Sequence, residues 1–243
     1  MKILSLNLWN INEPLNVRMN ILKEYITSTI PDFICFQEVS KIDNKIQVEY
    51  ILKELQYEFS YCLSGFWKER EEGLLIATKA NHRLILNENL PLIKNDMQRI
   101  LMGIEVIHPI YGLVYIFNTH LAYHIKNGNG RMRQIEVVLK YISSYIDKGS
   151  VILCGDLNED PYQGEIYQFI KNYGGVTLKD TCEKTLITFS RKNRYIKEDL
   201  WPDRKLDYIF YSGKFNLKSS LVLVEGDKYG SCSDHYGLLA EDD

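Results

Sequence analysis

Apolar residues along this chain follow two repeats. Where they recur every three or four positions they predict helix, and where they alternate or run unbroken for a few residues they predict strand. Lys2 to Leu8 reads as a buried strand, and Leu15, Met19, Leu22, Ile26 and Ile30 mark a helical face that Pro31 ends. Asp32 to Phe36 is a short apolar strand that runs into Gln37-Glu38, and a charged helix is expected near Ile46 to Leu55. Strands follow around Tyr57 to Leu63, Gly73 to Thr78, Leu84 to Leu90, Ile100 to Ile107 and Leu113 to Thr119, rich in β-branched and aromatic residues, with a spacing that suggests antiparallel neighbours. Met132, Ile135, Val138, Leu139 and Ile142 form a second helical stripe, stopped by Lys148-Gly149 before a strand at Val151 to Cys154. Leu206 to Tyr211 and Leu217 to Val224 are the last strands expected, ahead of Ser233-Asp234-His235. No repeat, tether or low-complexity tract interrupts the series, which predicts one layered α/β domain over residues 1–243.

Composition narrows the class. With 243 residues, 45% of them hydrophobic, and only 15 Gly and 6 Pro, the chain can bury a sizeable core and is neither collagenous nor disordered. Its 29 basic and 32 acidic residues leave a net charge of −3, which argues against tracking along a long duplex. Nucleic acid therefore stays a candidate partner that overall charge does not favour. Five scattered cysteines lack the paired spacing of a zinc site or redox dithiol and read as reduced core thiols. Asn7 and Asn10 interrupt the apolar start before a secretory core forms, and no stretch is long enough to span a bilayer, so a cytoplasmic location is expected.

Polar side chains recur just where apolar strands end: Asn7, Glu38, Asn118 with His120, Asp156 with Asn158, Asp207, and Asp234 with His235. Each has a plainer reading alone. Asn7 suits a hydrogen-bonded core amide, Glu38 a helix or turn cap, His120 a core histidine, Gly155-Asp156-Leu157-Asn158 a turn, and Asp234-His235 a surface pair. Together they are more economically explained by one site, because gathering four carboxylates out of water is tolerable only if they meet a cation or stay wet. A hard divalent ion fits that demand.

The ordered segments Ser5-Leu6-Asn7-Leu8-Trp9, Phe36-Gln37-Glu38-Val39, Asn118-Thr119-His120-Leu121, Gly155-Asp156-Leu157-Asn158, Leu206-Asp207-Tyr208-Ile209 and Ser233-Asp234-His235-Tyr236-Gly237 resemble the signature motifs of the endonuclease/exonuclease/phosphatase superfamily, the deoxyribonuclease-I-like fold. They run from residue 5 to 237. The resemblance implies a four-layer α/β/β/α sandwich of two mostly antiparallel sheets flanked by helices, with its site in a cleft at one edge. It implies that Glu38 binds a divalent metal, usually Mg²⁺ with Mn²⁺ as an alternative, and that Asn7 and Asp234 help to hold or orient it. Asp156 and Asn158 then position the attacking water and the phosphate. His235, oriented by Asp207, resembles the histidine that contacts the scissile phosphate as base or charge stabiliser. His120 resembles the residue that hydrogen-bonds the phosphate or protonates the leaving oxygen. Two departures narrow the choice. Trp9 stands where some nuclease members carry an acidic residue, which weakens a two-metal reading, and Glu69-Arg70-Glu71-Glu72 lacks the tyrosine of the abasic-site endonucleases.

Physical chemistry asks for the same groups, since displacement at a phosphodiester builds negative charge that a Lewis acid and aimed donors must meet. A divalent-metal-dependent phosphoester hydrolase of phosphodiesterase or nuclease type is expected. The alternatives are a phospholipid hydrolase of the sphingomyelinase kind, a hydrolase of small phosphomonoesters or inositol phosphates, and an inactive binding module. Arg191, Lys192, Arg194, Lys197, Arg204 and Lys205, with Lys126, Arg131, Arg133 and Lys140, form either a phosphate-attracting rim or a solvated face. By the resemblance Asn193, Tyr195 and Arg204 line the substrate side. Phe66-Trp67 is a candidate tip for peripheral membrane contact, or else part of the core.

Overall fold

In the computed structural model, described for residues 1–124, 128–162, 164–182, 186–196 and 202–242, the first strand already serves two cores. β1 (Lys2–Asn7) sends Ile3 toward one cluster of buried residues and Leu4 and Leu6 toward another. That two-sided burial is why it reads as a continuous apolar run. It pairs in parallel with β2 (Phe33–Ile42) across the helix α1 (Leu15–Thr29). A hairpin through Asp43 and Asn44, both with left-handed φ, leads to β3 (Lys45–Ile46), and then come α2 (Glu49–Glu54), β4 (Glu58–Trp67) and β5 (Arg70–Thr78).

The second half of the sandwich starts at β6 (His82–Asn89), β7 (Ile100–His108) and β8 (Gly112–His120). After α3 (Gly128–Ser143) the chain adds β9 (Ser150–Asp156) parallel to β8, then α4 (Ile166–Asn172), β10 (Lys179–Asp180) and β11 (Asp207–Ser212). β12 (Leu217–Val222) and β13 (Gly237–Asp242) return to the first sheet. The strand orders are β12-β13-β1-β2-β5-β4, with β3 beside β2, and β10-β11-β9-β8-β7-β6. Each sheet is antiparallel except for one central parallel pair, β1 with β2 and β8 with β9.

Three buried clusters separate the layers. Phe33, Cys35, Ile76, Ile104, Ile116, Ile152 and Ile209 fill the space between the sheets. Leu22, Ile26, Ile51 and Leu52 of α1 and α2 pack on Leu4, Ile34 and Phe36. Ile135, Leu139, Ile166 and Ile170 of α3 and α4 pack on Phe117, Leu153 and Phe210. The result is helix, sheet, sheet, helix, the four-layer sandwich expected from the motifs. All five cysteines are buried. Among the described residues no helix is long and apolar enough to cross a membrane.

Several expectations shift. The helix expected near Ile46 to Leu55 is shorter, because Lys45-Ile46 is used by the hairpin. The last expected strand ends at Val222, where Leu223 takes φ 56°. α4 and β13 have no counterpart among the expectations, although β13 is central, lying between β12 and β1. Its Leu238 and Ala240 face the inter-sheet core while Glu241 and Asp242 leave it, too short an alternation to stand out.

Candidate active site

Side-chain alternation builds the site. On β1, β2, β8, β9 and β11 the residues facing the other sheet are apolar at one end, as in Ile3, Cys35, Ile116, Cys154 and Ile209. Two positions along each strand, or twice that, the same faces carry Asn7, Gln37, Asn118 with His120, Asp156 and Asp207. The registers Asn7↔Gln37, His120↔Asp156 and Asp207↔Asp156 bring these polar ends to one edge of the sandwich. Gln37 and Asn118 bridge the sheets, with Gln37 Nε2 donating to Asn118 Oδ1 at 2.8 Å, so Asn118 is spent on structure. Gly155 permits the close β8–β9 approach, since a Cβ there would lie 2.4 Å from Thr119 O.

Local backbone turns aim the remaining groups. A bulge between Phe36 and Val39 puts Glu38 at φ 53°, out of the ladder. Asn158 has φ 53°, with its N–H donating to Asp156 Oδ1 at 2.8 Å. Trp9 and Asn10 also have positive φ, and the fully buried Arg18 holds their loop by donating to the carbonyls of Leu8, Asn10 and Asn12 and, at 2.8 Å, to Cys232 O. The Ser233 hydroxyl donates to Asn7 O at 2.6 Å, which ties the Asp234-His235 turn to the first strand.

Glu38, His120, Asp156, Asn158, Asp234, His235 and Arg204 line one cavity of about 410 Å³. Asn7 does not line it but holds two residues that do, its amide nitrogen 3.0 Å from both Glu38 Oε1 and Asp156 Oδ2. Asp207 stands behind His235, with Oδ2 2.8 Å from Nδ1. The Nε2 atoms of His120 and His235 lie 3.6 and 3.8 Å from Asp156 Oδ2, so the aspartate sits between two imidazoles. The His120 ring also meets Asn158 Nδ2 at 2.9 Å and Arg99 Nη1 at 3.0 Å.

Other expected positions stand elsewhere. Asn193 is 1% exposed and donates to Ser233 O at 2.8 Å, so it supports the Asp234 turn from behind and cannot line the cleft. Tyr195 packs against Trp9 with ring centroids 5.4 Å apart and is not a cleft-lining residue. Part of the basic rim is taken up by ion pairs, Lys205 with Asp180, Arg194 with Glu225, Arg131 with Glu159 and Arg191 with Asp203, while Arg204 lines the cavity. Lys126 and Lys197 lie outside the described residues. Phe66-Trp67 is not core. The pair closes β4 at a tight turn through Lys68 and Glu69, both with left-handed φ, and Trp67 and Lys68 wall the cavity, with Trp67 edge-on to Tyr123 at 5.7 Å.

Three cleft residues gave no motif signal. Arg99 and Glu72 are each 4% exposed, and Asn10 donates to Glu72 Oε2 at 2.6 Å. For Arg99 and Glu72 the only sequence signal is charge next to an apolar strand, and Asn10 is uncharged.

Electrostatics follow from this crowding. Burial and the Asp207 carboxylate push Asp156 up to about 7. Burial and Glu38 push Glu72 up to about 8, and burial and Glu38 lift Asp234 to about 6 against the pull of His235. Burial opposes charge on His235, but the carboxylates of Asp207, Asp156 and Asp234 outweigh it and raise its pKa well above the ordinary value. Burial, then Arg99 and His235, hold His120 well below it. Carboxylates that retain protons for want of positive charge are the donor set a hard cation would fill. Ligand-type atoms of Asp156, Asp207 and His235 also lie within 4.8 Å of one another, a spacing their mutual ion pairs account for.

Comparison with known proteins agrees with this architecture. The chain is 26% identical over 202 residues to protein angel homolog 2 of Bos taurus, covering 75% of this chain and 36% of that protein. It is 26% identical over 189 residues to 2′,5′-phosphodiesterase 12 of Bos taurus, covering 65% and 30%. It thus spans about a third of the length of these curated relatives. The solved structure of D. rerio TDP2 complexed with single strand DNA product has the same fold, with a TM-score of 0.75 at 22% identity over 99% of this chain and 97% of that one. Residues 4–235 match the model of the Endonuclease/Exonuclease/phosphatase family, and with the motif residues gathered at one sandwich edge the chain belongs to that family.

Proposed function

We propose that residues 1–243 act as one catalytic unit, a divalent-cation-dependent phosphoester hydrolase that cleaves phosphodiesters of nucleotide chains by in-line attack of water. The observation that carries the reading is Asp156, buried between the Nε2 atoms of two histidines at 3.6 and 3.8 Å in the cavity that Glu38 and Asp234 also line. Glu38 and Asp234, with Asn7 beside Glu38, would hold the cation, Mg²⁺ by the family resemblance with Mn²⁺ as a substitute, and such an ion supplies Lewis-acid neutralisation of charge building on the phosphoryl oxygens.

The side chains divide the remaining work. Asp156, pushed up to about 7, is matched to taking the proton of an attacking water near neutral pH. His235, kept charged by Asp207, offers Nε2–H to a phosphate oxygen. His120 and Asn158 offer further donors from the opposite side of Asp156. Arg204 lines the same cavity and adds positive charge for the substrate anion.

A base-bearing substrate suits the cleft better than a lipid. Trp67 and Tyr123 present aromatic surface on the cavity wall, where a base can stack for about 1–3 kcal/mol. A relative named 2′,5′-phosphodiesterase 12 supports the same substrate class. The test is a panel assayed with Mg²⁺ or Mn²⁺ and with chelator: an aryl phosphodiester, single-stranded DNA and RNA, 2′,5′-linked oligonucleotides, duplex DNA, sphingomyelin vesicles and inositol phosphates. Chelator-sensitive cleavage of single strands is expected. Turnover of sphingomyelin or inositol phosphates alone would overturn the substrate, and cation binding without any turnover would favour the inactive binding module.

A further inference from the structure

The loop between β6 and β7 carries a pair that none of the catalytic motifs contains. Asp96 Oδ1 accepts from Arg99 Nε at 3.1 Å and from Arg99 Nη2 at 2.9 Å, while Asp96 Oδ2 accepts from the Tyr123 N–H at 3.0 Å. So held, Arg99 presents Nη1 to His120 Nδ1 at 3.0 Å, with Glu72 Oε1 4.0 Å away on its other side. On its far side His120 Nε2 meets Asn158 Nδ2 at 2.9 Å, and that amide also donates to Leu121 O at 3.0 Å. His120 therefore stands between two donors, and a neutral imidazole has one lone pair and one N–H.

Magnitude decides which donor is served. A guanidinium is always charged and can only donate, and a charge-assisted bond is roughly twice as strong as a neutral one. We propose that Arg99, braced by Asp96, is a positioning residue that fixes His120 as the neutral Nε2–H tautomer, so that His120 meets a bound phosphate as an uncharged hydrogen-bond donor. Asp156 Oδ2, at 3.6 Å from Nε2, is beyond ordinary hydrogen-bond reach. The Nε2–H and the Asn158 amide are then adjacent donors that lack a shared acceptor, and an entering phosphate oxygen supplies it. Burial, Arg99 and His235 all disfavour a second proton on the ring, so His120 stays neutral, in agreement with this geometry.

The two histidines of the cleft are thereby set in opposite states. His235 faces a carboxylate through Nδ1 and is held as a charged donor, whereas His120 faces a guanidinium through Nδ1 and is held neutral. This inference rests on the proposed phosphodiester chemistry for its purpose, but the tautomer itself can be observed without substrate.

The experiment is long-range ¹H–¹⁵N correlation spectroscopy on the ¹⁵N-histidine-labelled full chain, with His120 assigned from the signals lost in His120→Gln. The expected spectrum shows Nε2 protonated and Nδ1 bare, unchanged from about pH 5 to 8. In Arg99→Met the ring is expected to shift toward the Nδ1–H form, accepting from Asn158, and kcat/KM on an aryl phosphodiester to fall about 10²-fold. An Nδ1–H or imidazolium His120 in the wild-type chain overturns the proposal, and that spectrum needs no variant to fold. An unaltered tautomer, or wild-type turnover, in a folded Arg99→Met chain overturns it too. The expected tautomer in a chain that hydrolyses no phosphodiester would support the assignment while refuting the proposed activity.

Discussion

Replacing Asp207 by Asn isolates what the carboxylate contributes to His235. The pair is buried, at 1% and 6% exposure, with Oδ2 2.8 Å from Nδ1, and Asp207 is the largest favourable influence on the imidazolium. Asp156 at 3.8 Å from Nε2 and the neighbouring Asp234 remain to support the charge, so the loss is that of one charge-assisted bond. Such a bond is worth about 1.5–3 kcal/mol, which predicts a fall in kcat/KM of about 10- to 10²-fold. A second cost appears in stability. Losing the buried bond to a charged imidazole also weakens the folded chain, by about 1.5–3 kcal/mol. The assay is hydrolysis of an aryl phosphodiester at neutral pH with saturating Mg²⁺, beside a thermal melt of the same protein. Unchanged kcat/KM in a chain that melts normally would refute the claim that Asp207 keeps His235 charged for catalysis.

Two further substitutions test the surroundings of the cleft. Glu72, raised to about 8 by burial and Glu38, binds a proton in the folded chain that the unfolded chain releases nearer its ordinary value, so its stabilising contribution is present at low pH and is lost as pH rises through about 8. Glu72→Gln should therefore match the wild type in metal-free melts near pH 4 and exceed it increasingly toward pH 8; parallel curves would show that Glu72 is not protonated. Arg18→Leu strands the carbonyls of Leu8, Asn10, Asn12 and Cys232 and should cost about 3–5 kcal/mol, read in a denaturant melt, and a loss within about 0.5 kcal/mol would contradict the clamp role.

How much of this was legible beforehand depended on strand periodicity. Asn7, His120, Asp156 and Asp207 are visible because each stands at the end of an apolar strand, where alternation carries its side chain to the inter-sheet edge, while Glu38 is visible after the apolar run Phe33 to Phe36 but is aimed by the bulge within β2. Asp234 and His235 are visible only through their motif, since the strand that follows them, β13, is four apolar-to-small residues and two acids. Arg99, Asp96 and Glu72 were not legible, because a charged residue beside a strand looks the same whether it faces solvent or a cleft. The basic run from Arg191 to Lys205 left a phosphate-attracting rim and a solvated face both open for the same reason: local charge does not reveal that Lys205 and Arg194 are paired with acids distant in sequence while Arg204 lines the cleft. Asn193 supports the Asp234 turn from behind, and Tyr195 packs on Trp9.

The most direct test of the central claim is the position of a divalent cation, read by anomalous scattering from crystals of the chain soaked in Mn²⁺. The expected result is a peak in the cleft between Glu38 and Asp234, lost in Glu38→Gln. A peak on another face of the molecule, or none in the cleft at millimolar Mn²⁺, would contradict it.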